Sequence, residues 1–95
     1  MTNNDKKRDV KQFSEFVKNE ILVRLPNYEN YSMGTSSIFI QTAIEDLQYE
    51  IKQTCYHSKL AYPDVIKAAV SLAAQAMVLA CNAQRELNAW EEMRS

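Results

Sequence analysis

Asp46 and Glu50 are the residues of this chain best spaced to hold a cation. Four positions apart on a helix, they share one face, and two carboxylates on one face are the beginning of a divalent-cation site. Glu45 lies next to them. The same stretch carries Gln41, Gln48, Lys52 and Gln53, so the carboxylates either turn inward toward another helix or belong to a solvated polar side. A second polar line is Lys67, Ser71 and Gln75, each four after the last, with Asn82 further along. In a segment that is otherwise apolar, this line is the strip left facing water, or it lines a polar pocket or a hydrogen-bonded seam between subunits. The third candidate is the tyrosine pair Tyr28 and Tyr31. It lies in the one long connection, and binding residues concentrate in such segments. Their rings can stack on a base or plug an apolar edge. Lys67, Ser71, Gln75, Tyr28 and Tyr31 are therefore the candidate ligand-binding residues.

Other chemistries lack their parts. His57 is the only histidine, and Cys55-x-His57 has no second ligand pair nearby for zinc. As a nucleophile and base, the two sit two apart on a helix and point different ways. A single glycine leaves no phosphate-cradling loop. A net charge of −1 gives no general attraction to DNA or to an anionic membrane. The run Lys6, Lys7, Arg8 and Lys11 is a solvated terminus or a phosphate contact. No catalytic residue is assigned. Cys55 and Cys81 lack paired-motif spacing and read as two buried thiols of a reducing cytosol. The first residues are polar, without the apolar run of a signal peptide, so a cytoplasmic location is expected.

The elements that must position these residues are helices. The dominant one is expected over 63–92. Ile66, Ala69, Ala73, Ala76, Ala80, Ala83, Leu87 and Trp90 are spaced 3, 4, 3, 4, 3, 4, 3, the signature of a helix–helix seam. Its alanine middle lets a second helix axis come close. Val65, Leu72 and Leu79 form a second row, and Val70 and Met77 a third, so the helix is apolar around most of its circumference. Such a helix is buried or spans a membrane. Alanine supplies much of the apolar content and Lys67 and Gln75 interrupt it, so a membrane is not expected. A helix over 9–25 is expected from the stripe Val10, Phe13, Val17, Ile21 and Leu25, with Asp9 or Asn4 as cap and Pro26 as stop. Another, over 36–58, carries Ile40, Ile44, Leu47, Ile51 and Cys55, with Thr35 or Ser36 as cap. The short link before Pro63 makes the second and third helices antiparallel neighbours. Residues 1–8 read as a flexible terminus and 9–95 as one all-α domain: a short first helix and a long antiparallel hairpin. Neighbours within the chain leave one apolar band of the third helix uncovered. Completion into a bundle by a homodimer or larger even-numbered homo-oligomer is therefore expected, through Ala69, Ala73, Ala76, Ala80, Leu72, Leu79 and Trp90.

The segment from Tyr62 to Val78 resembles a helix of small phage-encoded proteins related to the MazG-like all-α nucleotide pyrophosphohydrolases. That family's pattern runs roughly Glu-Ala-x-Asp-Val-Ala-Asn-x-Ala-Met-Met, after a helix with a Glu-x-x-Glu pair. Ala73, Ala76 and Met77 carry the resemblance, with Pro63 in front. In the family the acidic residues hold magnesium, which holds the triphosphate. Here Ala68, Ser71 and Ala74 stand where its Glu, Asp and Asn would be. The resemblance thus implies a relative whose metal site on this helix has been dismantled, one that binds or scaffolds without hydrolysing. The expectation is a small non-enzymatic oligomeric protein of the phage or mobile-element type, without cofactor, capturing a host protein or a nucleotide-like ligand. The alternatives are a magnesium-dependent MazG-like hydrolase, with Asp46 and Glu50 as surviving ligands, and a structural assembly subunit.

Overall fold

The computed structural model describes residues 1–94, without the side chains of His57 and Ser58. The Cys55–His57 pairing therefore lies outside the described residues. Three helices, α1 (Asn3–Arg24), α2 (Met33–His57) and α3 (Tyr62–Arg94), are joined by two 3-10 turns, Tyr28–Asn30 and Ser58–Ala61. Among the described residues there is no strand. The fold is all-α, with a long helical hairpin as expected.

Two helix starts differ from the reading of the sequence. α1 begins six residues earlier than position 9, within the segment expected to be flexible, because Thr2 and Asp5 cap it reciprocally. The Asp5 N–H donates to Thr2 Oγ1 at 3.2 Å, and the Thr2 N–H donates to Asp5 Oδ2 at 3.0 Å. This is a capping box with Asp in place of the usual Glu or Gln, and neither Asn4 nor Asp9 is the cap. α2 begins at Met33 because Ser32 Oγ accepts the Thr35 N–H at 3.1 Å. Ser36, an expected cap, lies inside the first turn, fully buried. α1 ends at Arg24, before Leu25 and Pro26, as the proline requires.

α3 is the shared wall. α2 runs antiparallel to it, and α1 packs on it from the other flank. Phe13 and Ile66 line one groove and Tyr28 meets Asn82, so α1 runs in the same direction as α3. The core joins Val17 of α1 and Leu25 just past its end to Ala74 and Val78 of α3, with Ile21, Tyr28, Tyr31 and Val70 packed around them. α3 therefore buries the line Ala74, Val78 and Asn82. The heptad seam is on the opposite side. Ile66, Ala69, Ala73, Ala76, Ala80, Ala83, Leu87 and Trp90 are all exposed. The other stripes are also only partly covered: Phe13 on α1 and Ile51 on α2 remain 39% and 50% exposed.

The result is an open molecule, 55 × 33 × 21 Å, with a radius of gyration of 16.3 Å. A compact chain of this length has a radius of about 12 Å. Its surface is 7365 Å², whereas a folded monomer of this mass exposes about 5,600 Å². The helical stretch Lys59–Arg94 is long and apolar enough to cross a membrane by length and composition alone. The structure is also compatible with a soluble protein, since this stretch carries the packing surface for both other helices.

Candidate functional site

The two polar candidates read from the sequence come together. Asp46 and Glu50 of α2 and Lys67 and Ser71 of α3 line one cleft of about 270 Å³. Its other walls are Glu20 and Arg24 of α1, with Tyr49 and Ala68. The cleft exists because α1 and α2 each lean on α3 rather than on each other, leaving a gap over its Lys67–Ser71 edge. Arg24 Nε pairs with Glu20 Oε1 at 3.3 Å across one turn of α1. The lining thus holds three acids and two bases. Glu20 and Arg24 were missed from the sequence. Their only signal was the polar side of the α1 stripe, which does not say which neighbour it meets.

Among the described residues no group of three His, Cys, Asp or Glu side chains is placed to hold a metal ion. The three carboxylates of the cleft share its walls without converging on one point. The Lys67 ammonium lines the same space and would repel a divalent cation. The residues present therefore do not fit the magnesium that the hydrolase alternative requires.

The remaining candidates are placed as follows. Gln75 is half-buried, and its Oε1 is, among the described residues, a buried polar atom without a hydrogen-bond partner, as are Ser36 Oγ and Asn82 Oδ1. Tyr28 and Tyr31 pack against the core cluster. Asn82 Nδ2 donates to the Tyr28 carbonyl oxygen at 2.9 Å, and the Arg85 guanidinium stands 5.6 Å from the Tyr28 ring centre. Tyr31 meets Phe39 edge to face, with ring centres 5.3 Å apart. Beside them a hollow of about 680 Å³ opens between Tyr31, Ser32 and Met33 and the Asn82–Ala89 part of α3. Cys55 and Cys81 are free thiols and both are exposed, which corrects the expectation of buried ones. On α2, Cys55 lies at the end of a stripe that the chain leaves half uncovered.

The apolar counterpart of the cleft is a groove of about 380 Å³ between α1 and α3, lined by Phe13, Val17, Val65, Ile66, Ala69, Val70 and Ala73. Three of these, Ile66, Ala69 and Ala73, belong to the exposed seam. The contribution of Phe13 and Val17 was legible only as a generic apolar stripe. Compared with known proteins, the chain matches no family model, no curated sequence and no solved structure.

Proposed function

We propose that this chain is a small non-enzymatic association protein that works as a homodimer or larger even-numbered homo-oligomer. Its working surface is the outward side of α3. The observation that supports this reading is the uncovered heptad seam, from Ile66 to Trp90, on a chain exposing about 1,700 Å² more than a monomer of its mass usually does. A stable interface takes roughly 800 Å² or more from each partner, so the excess is ample. The resemblance to phage-encoded relatives of the MazG-like proteins is consistent with a capture protein whose assembled form holds a host protein or a nucleotide-like ligand. A protein is favoured by the long exposed apolar seam rather than by cavity size, since the polar cleft of about 270 Å³ falls just below the usual range of roughly 300–1,000 Å³ for ligand sites while the hollow beside Tyr31, about 680 Å³, lies within it.

A second reading, a magnesium-dependent nucleotide pyrophosphohydrolase, draws on one observation: Asp46, Glu50 and Lys67 share a cleft. The scattered carboxylates and the intruding ammonium weigh against it. Sedimentation equilibrium over a micromolar concentration series separates the outcomes. Association appears as a mass that is an even multiple of 11.0 kDa. A single-chain mass at every concentration would overturn the proposal.

A further inference from the structure

We infer that two copies pair through α3 in an antiparallel, two-fold arrangement that seats Trp90 of each copy in the Phe13–Ile66 groove of the other. This rests on the association reading above and adds the register, the orientation and the residue that anchors it. The seam spacing 3, 4, 3, 4, 3, 4, 3 reads the same in both directions. Its centre is level with Val78. Turning a second α3 about that point matches every seam position: Ile66 faces Trp90, Ala69 faces Leu87, Ala73 faces Ala83, and Ala76 faces Ala80.

The sizes agree with this register. Around the axis alanine meets alanine, so the two helix axes can approach closely. Toward the ends, Leu87 and Trp90 fall on Ile66, Ala69 and Ala73, the seam residues that form the floor of the groove whose other wall is Phe13 and Val17. Trp90 is 54% exposed and Leu87 46% exposed, and from Ala83 to Arg94 every residue is exposed. Within this stretch Arg85, Glu86 and Ala89 border the hollow beside Tyr31 and Met33, whereas Leu87 and Trp90 stand exposed, with the Arg94 guanidinium 4.6 Å from the Trp90 ring centre. An aromatic anchor entering an apolar pocket is the usual centre of binding energy in an interface.

Charge selects the direction. In a parallel pair, Glu86 of one helix falls beside Glu91 of the other, on both sides of the seam, and the two helix dipoles align. In the antiparallel pair no like charges oppose each other. Met77 and Leu79 meet their own copies at the axis, and Val65 meets Met93. The occupant of the groove is thus a second copy of this chain, and the area available suits it: about 1,700 Å² of excess surface per chain is what an interface in the obligate range of roughly 2,000–5,000 Å² draws on.

Disulfide trapping tests the register, in a chain whose exposed Cys55 and Cys81 are replaced by serine. Chains carrying Ala73→Cys are mixed with chains carrying Ala83→Cys under mild oxidation. The mixed pair should cross-link. Each variant alone should not, because its own copies sit about 15 Å apart along the axis. Cross-linking of Ala73→Cys with itself would show a parallel pair. A dimeric mass with no cross-link in the mixture would place the interface elsewhere. Either result overturns the register and leaves association standing, whereas a mass of one chain at all concentrations removes association itself. Trp90 supplies a second reading, being the only tryptophan. Its emission should shift to the red on dilution, and Trp90→Ala should weaken dimerisation at least about 30-fold while leaving the helical circular dichroism of the chain in place. A chain that stays monomeric in buffer and floats with phosphatidylcholine vesicles would put a bilayer on this face and overturn the inference.

Discussion

Asn82 reaches across 54 positions of sequence to donate its side-chain amide to the carbonyl oxygen of Tyr28, at 2.9 Å. The bond ties the α1–α2 connection to α3, and Asn82 is 5% exposed. A neutral bond of this kind is worth about 1 kcal/mol net, but stripping one buried partner from the other costs roughly 1–3 kcal/mol. Asn82→Ala should therefore lower thermal stability by that amount. An unchanged melting temperature at fixed protein concentration would mean that the Tyr28 carbonyl finds water without cost.

Ser36 makes the opposite case. It is fully buried at the start of α2 and its hydroxyl has no partner. Ser36→Ala removes a desolvated polar group and improves helix propensity. The expected outcome is a gain of about 1 kcal/mol, which in a domain of this size raises the melting temperature by roughly 4–8 °C. A loss of stability in a thermal melt would show that the hydroxyl is bonded after all.

Two neighbouring alanines of α3 separate folding from association. Ala74 is fully buried against α1, so Ala74→Leu overpacks the chain's own core and should cost about 1–3 kcal/mol. Ala76 is exposed, so Ala76→Leu should leave the folded chain intact and act only on the assembled mass. Paired melting and sedimentation runs check the contrast. If both variants lose helicity alike, the seam is not an independent surface.

Asp5 gives a pH dependence. The Thr2 backbone N–H, the Thr2 hydroxyl and the Arg8 guanidinium all bind its carboxylate and hold its pKa below the ordinary aspartate value. A group depressed in the folded state stabilises above its unfolded pKa and loses that contribution as the pH falls through the folded one. The first turn of α1 should thus fray only in acid, below the ordinary aspartate range. Amide exchange of the first-turn residues against pH measures this, and in Asp5→Asn the fraying should no longer depend on pH in that window.

Turnover is the last expectation. With magnesium or manganese, a panel of nucleoside triphosphates should remain intact by phosphorus NMR, because Lys67 stands among carboxylates that do not converge. Hydrolysis that disappears in Glu50→Ala would restore the enzymatic reading.

The helical class and the hairpin were legible because heptad spacing and Pro26 and Pro63 are strong local signals. Asp46 with Glu50, and Lys67 with Ser71, were legible as pairs because four residues close one helical turn. Their meeting in one cleft was not, since it depends on the register set by the Ser58–Ala61 turn and on where α1 lies. The start of α1 was passed over because Asp5 replaces the longer acid of the usual capping box. Which side of α3 faces inward was hidden for a simple reason. Ala74 on the buried line and Ala73 on the seam are the same residue type, and only tertiary packing tells them apart.

Because α1 and α2 both rest on α3 and hardly on each other, the chain has no mutual bracing. α1 joins the core through Val17 and Ile21, with Leu25 just past its end, while α2 is also held by the short turn into α3. Loosening should therefore be stepwise, with amide protons of α1 exchanging before those of the hairpin. Lifting α1 would also carry Phe13 and Val17 away from Ile66 and Ala69, dissolving the groove without unfolding the helix that bears its floor.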